Sequence, residues 1–128
     1  MKNYEFFLKL FTVFAALSGC FSVLFGAWLA HAGQHIVEDD KLRLITAHHY
    51  QVIHTLALLV VAFAYRIKPS RVLLLSALFF IIGMLLFSGS LYLKTYTGNS
   101  SLGMLAPFGG LTLAFGWLIL AFLGKEKS

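Results

Sequence analysis

All five histidines of this chain fall between His31 and His54, and Tyr50, Gln51, Ser88, Ser90 and Tyr92 are further polar side chains set among apolar neighbours. An imidazole can ligate a metal, hold haem or move a proton. His31 and His35 stand at i and i+4, a spacing that on a helix presents two rings to one metal, with His48, His49, Glu38, Asp39 or Asp40 as further ligands. Haem between His31 and His54 is the corresponding arrangement inside a helical bundle. Ser88 or Ser90 with His54 as base would make a nucleophile pair. No acid lies within the apolar stretches to orient that imidazole, and Ser88-Gly89-Ser90 inside a helix reads first as a packing and kink element. No catalytic residue is assigned on these grounds, and a metal or other cofactor stays open. Two readings of the set compete. In one, the polar side chains bond helix to helix and do no chemistry; in the other, His31, Tyr50, Gln51, His54, Ser88, Ser90 and Tyr92 line a pocket for a lipid headgroup, quinone, metal or other small ligand.

The elements that carry these residues are four apolar stretches, about residues 11–30, 46–65, 72–93 and 102–123, each near the ~20 residues a helix needs to cross a bilayer core. Backbone polar groups cannot go unpaired in lipid, and the runs lack the alternation of a barrel strand, so the spanning element is the α-helix. The expectation is an all-α integral membrane four-helix bundle, with residues 1–128 as a single four-span domain. Composition agrees: 59% of residues are hydrophobic and 12% charged, against about 25% charged in soluble domains. The formal charge of +5 sits in the connections and forms no stripe with interleaved aromatics, which argues against a nucleic-acid partner. Cys20 is the only cysteine, so quinone-coupled thiol oxidation through cysteine pairs is excluded. The absence of carboxylates from the spans removes proton-coupled export of the small multidrug type.

Seven of the ten Lys and Arg residues lie at the N-terminus (Lys2, Lys9), in the second connection (Arg66, Lys68, Arg71) and at the C-terminus (Lys125, Lys127). Lys41, Arg43 and Lys94 occupy the other two connections. The positive-inside bias therefore puts both termini in the cytoplasm and the histidines near the outer face. The second span has an uninterrupted apolar part only from Thr55 to Tyr65, and it is assigned as spanning because Arg66, Lys68 and Arg71 would otherwise share a side with the acidic first connection. Asp39 or Asp40 is the expected cap of a helix that starts outside and runs into this span. Pro69 and Ser70 mark a tight inner turn, and 95–101 an exposed outer loop.

Small residues supply the seams. Ser22, Gly26 and Ala30 recur at i+4 on the first helix, as do Ala15 and Gly19; Gly89 on the third helix and Ala106, Gly109 and Gly110 on the fourth permit close approach. Packing within one bundle is favoured over a homo-oligomer interface. Leu17-Ser18-Gly19-Cys20 has the form of a lipoprotein cleavage motif, but the run Phe21 to Trp28 stays apolar, so Cys20 is expected to be an ordinary residue of an uncleaved first helix.

Five ordered motifs carry a family resemblance: Gly26-Ala27-Trp28-Leu29-Ala30-His31, Tyr50 to Leu58 (YQVIHTLAL), Phe87-Ser88-Gly89-Ser90-Leu91-Tyr92, Leu102-Gly103 through Pro107-Phe108-Gly109-Gly110, and Gly116-Trp117. From about Gly19 to Trp117 the chain resembles the YgdD-like family, domain-of-unknown-function family four-two-three, which includes the eukaryotic transmembrane protein two-five-six. It departs from the family's usual Gly-Ala-Phe-Gly-Ala-His in having Trp28-Leu29. The resemblance implies a small multi-pass protein of bacterial inner (cytoplasmic) membranes with no established reaction. The expectation is accordingly a noncatalytic accessory or interaction protein, surrounded by the lipid bilayer and acting through a membrane-protein partner or as a homo-oligomer. The pocket-bearing binding or transport protein stands second, and an enzyme third.

Overall fold

The computed structural model describes residues 2–126, and Lys127 of the charge count lies outside them. Helix α1 covers Lys2–Ala32, α2 Glu38–Ile67, α3 Arg71–Met84, α4 Ser90–Thr97 and α5 Ala106–Ile119, with no strand among the described residues. A π-helical turn over Leu85–Gly89 joins α3 to α4 into one rod. Short 3₁₀ turns over Gly33–His35, Ser100–Leu105 and Leu120–Lys125 extend α1, precede α5 and follow α5. Four continuous helical runs result, each long and apolar enough to cross a membrane: Asn3–His35, Glu38–Ile67, Arg71–Thr97 and Ser100–Lys125.

Each run overshoots its apolar stretch, because a helix need not stop where the hydrocarbon stops. The second shows this best: helical structure begins at Glu38, two turns before the apolar residues start to dominate. Neither Asp39 nor Asp40 caps it, in correction of the sequence expectation. The cap position is Val37, with no side-chain bond, and the three acids fill the first turn, where they suit the positive end of the helix dipole. Asp40 is drawn away to Arg43, one turn on, at 2.7 Å. The expected 95–101 loop is also shorter than predicted. α4 continues to Thr97, Gly98 ends it at φ +75°, and the Asn99 side chain caps the following turn. Ser70, expected only as part of the inner turn, also caps α3, its hydroxyl accepting from the Leu73 amide at 3.2 Å.

α2 and the α3–α4 rod make the middle of the bundle. α1 packs along one side of α2, where Phe11 is fully buried against Tyr65, ring centroids 5.6 Å apart. α5 packs along α3. Leu58, Ala77, Phe80, Met84 and Leu113 fill the core between them. α5 approaches the π turn and α3 closely because glycines face the contact: a Cβ on Gly109 would run into the Phe87 backbone nitrogen, and one on Gly116 would lie 2.7 Å from the Phe80 ring. Outward, Leu17, Val23, Val60, Phe108 and Leu118 are exposed, as a surface solvated by lipid requires.

Candidate functional site

α2 carries its polar residues on two flanks of one buried face, set by the 100° step of the helix. Gln51 and Thr55 lie toward α1 and α4, and His54 lies toward α3 and α5.

On the first flank a chain of donors runs through the bundle. The Tyr92 hydroxyl donates to Gln51 Oε1 at 2.6 Å. Gln51 Nε2 donates to the Ser18 hydroxyl at 3.0 Å and to the Ser18 carbonyl at 3.2 Å. Ser18 and Thr55 hydroxyls are 2.7 Å apart, and Thr55 Oγ1 lies 3.7 Å from Met84 Sδ. Either hydroxyl of the Ser18–Thr55 pair can donate, and the bonds connect α4 through α2 and α1 to α3. Bonds connected in this way polarise and strengthen one another in a low-dielectric interior. Beside the chain lies a cavity of about 160 Å³ touched by Ser18, Gln51, Met84, Ser88 and Tyr92.

On the second flank His54 is held at both ring nitrogens. Trp117 Nε1 donates to Nε2 at 2.9 Å, and Nδ1 lies 2.7 Å from the Tyr50 carbonyl. An indole N–H only donates, so Nε2 accepts and the proton of the neutral ring is on Nδ1. Phe80 and Trp117 meet the imidazole edge to face at 5.6 and 5.8 Å, and Tyr50 stacks over it at 6.0 Å.

The sequence-expected residues divide accordingly. Gln51 and Tyr92 touch directly. Ser88 donates to the Ala47 carbonyl at 2.7 Å, and Ser90 turns back to the Phe87 carbonyl at 3.0 Å, so each hydroxyl serves a backbone oxygen and neither bonds His54. Tyr50 is half-exposed and packs its ring on Phe87, 4.4 Å between centroids. His31 and His35 are exposed, and the α-helix ends between them at Ala32, so the i, i+4 register does not carry through to His35. No group of three His, Cys, Asp or Glu side chains gathers among the described residues. Of the seam residues, Ser22 is buried with its hydroxyl on the Gly19 carbonyl, and Gly26 and Gly109 face neighbouring helices. Gly110 meets only the edge of Phe87, a Cβ on Gly89 would meet only the Met84 carbonyl at 4.0 Å, and Ala30 is exposed.

Two participants, Ser18 and Trp117, were not singled out as site residues by the sequence, and a third, His48, was named only as a further metal ligand. Ser18 appeared only within a cleavage-like string, although its i, i+4 relation to Ser22 put it on the face that α2 covers. Trp117 appeared as a family motif, and its indole N–H required a partner if the ring was turned inward. His48 donates from Nε2 to the Ser22 carbonyl at 2.8 Å and so ties α2 to α1. Among the described residues, no buried side-chain nitrogen or oxygen lacks a partner.

Comparison with known proteins places this arrangement among relatives of similar size. The family model described as "Protein of unknown function (DUF423)" matches residues 25–110. A UPF0382 membrane protein of Haemophilus influenzae is 40% identical over 114 residues, covering 88% of this chain and 90% of the relative. The UPF0382 inner membrane protein YgdD of Escherichia coli K12 is 34% identical, covering 84% and 83%. The UPF0382 membrane protein YwdK of Bacillus subtilis is 31% identical, covering 88% and 94%. No solved structure matches.

Proposed function

This chain belongs to the DUF423 family of membrane proteins, and from that membership we propose that it is a noncatalytic accessory or interaction protein of the bacterial inner membrane. One observation carries the reading: the buried polar side chains of this cluster spend their hydrogen bonds inside the bundle, on neighbouring helices or on their own backbone. His54 has both nitrogens engaged, the Gln51 amide is held from two helices, and Ser88 and Ser90 are spent on backbone carbonyls. A general base or nucleophile needs a free lone pair or proton directed at a vacant site. Here the polar groups join helices in a solvent that gives little hydrophobic drive for their association.

The chain functions as one four-span unit with both termini in the cytoplasm, and the division of Lys and Arg supports that orientation. The test is turnover and partnership measured on the same full-length protein. Photo-crosslinking groups at Leu17 and Leu118 in the native membrane should trap a defined protein partner or a second copy. His54→Gln should leave that product in proportion to the amount of folded protein. A purified chain that converts a substrate, and loses the conversion in His54→Gln while keeping its fold, would overturn the reading.

A further inference from the structure

At the end of the bundle that carries the α1–α2 connection, a cleft of about 560 Å³ opens between α1, the start of α2 and α4. Its wall is aromatic: Phe25 stands 5.0 Å from the Tyr92 ring and 5.5 Å from Trp28, and Phe21 meets Tyr92 at 5.8 Å, centroid to centroid. Leu44 and Leu93 continue the apolar lining. Its mouth carries the Asp40 carboxylate, and the Arg43 guanidinium, which is not part of the lining, reaches two lining residues. Arg43 Nη1 is shared between Asp40 Oδ1 at 2.7 Å and Thr95 Oγ1 at 3.4 Å. The Asp40 and Arg43 side chains are 43% and 23% exposed, so both keep part of their surface open.

We propose that this cleft is a binding site for a zwitterionic phospholipid with a primary ammonium headgroup. Charge complementarity selects the occupant. The phosphate meets Arg43, whose planar fork of donors suits phosphate oxygens; the ammonium, an N–H donor, meets the Asp40 carboxylate; the glycerol and upper acyl chains lie along Phe21, Phe25 and Tyr92. An anionic headgroup would satisfy Arg43 and set its remaining polar groups against Asp40. A quaternary ammonium would offer Asp40 no N–H. The site is separate from the His54 and Gln51 bonds that carry the noncatalytic reading, and it stands or falls independently of them.

The test is native mass spectrometry of the purified full chain, delipidated and then offered phosphatidylethanolamine, phosphatidylglycerol or phosphatidylcholine with identical acyl chains. Phosphatidylethanolamine should be retained about fivefold over either of the others, the equivalent of ~1 kcal/mol for a partly exposed ion pair. Asp40→Asn should erase that preference, Arg43→Gln should weaken all three lipids, and Glu38→Gln, the same charge change at an exposed neighbouring acid, should leave the preference intact. Each variant is first required to match the parent in detergent melting. Equal retention of the three lipids by the parent, or a preference that survives Asp40→Asn, overturns the site.

Discussion

Trp117 on α5 donates its indole proton to His54 Nε2 on α2 at 2.9 Å, and this bond fixes which nitrogen of the imidazole carries hydrogen. It also joins α5 to α2 by a side-chain bond, beside the contacts of α5 with the π turn through Gly109 and with α3 through Gly116. Trp117→Phe keeps most of the ring packing and leaves a buried acceptor without its donor. The expected cost is about 1–3 kcal/mol, measured by reversible unfolding in mixed micelles. His54→Leu should cost less when made on the Trp117→Phe background than alone. Equal costs in both backgrounds would mean that the bond contributes nothing.

Much of this architecture was legible in the sequence, and the reason is the solvent. Lipid demands long uninterrupted apolar runs, so four helices could be read directly from hydropathy, with the turn at Pro69 and Ser70 between the second and third. The helix ends outside the hydrocarbon were not legible. Asp40 had the right type and place for a cap, yet a basic partner one turn away at Arg43 competes for its carboxylate. The site was legible only in part. Height along the bundle follows from residue number, so Gln51 and Tyr92, which touch, could be set at one level from the sequence; which flank of α2 each helix covers depends on packing. That packing turns His54 to Trp117, away from Ser88. The π turn at Leu85–Gly89 was not legible either, although Ser88-Gly89-Ser90 marked the place.

The donor chain from Tyr92 through Gln51 to Ser18 predicts non-additive stabilities. Tyr92→Phe removes the donor to Gln51 Oε1, and Gln51→Leu removes the centre of the chain. Residues in one hydrogen-bond network commonly show coupling of about 0.5–3 kcal/mol, and membrane helices average about 0.6 kcal/mol per polar contact. A double-mutant cycle should therefore return a coupling of roughly 0.5–1.5 kcal/mol. A coupling indistinguishable from zero would sink the idea of a connected chain.

Gly109 and Gly110 are adjacent and predict opposite outcomes. A methyl at Gly109 would overlap backbone atoms of Leu86 and Phe87, which cannot yield as a flexible side chain can. Gly109→Ala should destabilise the bundle by about 1–3 kcal/mol, as overpacking does in tight cores. At Gly110 the nearest atom is the Phe87 ring at 3.8 Å, ordinary contact. Gly110→Ala should be neutral or gain up to about 1 kcal/mol from helix propensity. Thermal melting of both variants in the same detergent decides the matter, and equal losses would show that α5 does not press on the π turn.

Orientation has its own test. A reporter active only outside the cytoplasm should work when fused after Gly98 and fail when fused after Pro69 or Glu126, because the basic residues gather at the second connection and the two ends. An active Pro69 fusion would invert the proposal and carry the aromatic cleft to the cytoplasmic leaflet.

The residues before Cys20 belong to the packed bundle, although Leu17-Ser18-Gly19-Cys20 has the outline of a processing motif. α1 runs without interruption from Lys2 to Ala32, and its first half supplies Phe11 and Ala15 to the core and Ser18 to the donor chain. Tyr4 also donates to the Arg66 carbonyl at 3.1 Å, tying the start of α1 to the end of α2. Truncating Phe11 to alanine should alone cost about 3–5 kcal/mol, the usual loss for a buried aromatic. A chain that begins at Cys20 lacks all of these contacts together. Pulse-chase labelling in the native membrane should find it degraded while the full-length chain persists, with Phe11→Ala intermediate between them. A truncated chain as long-lived as the full-length one would show that the bundle needs only the part of α1 beyond Cys20.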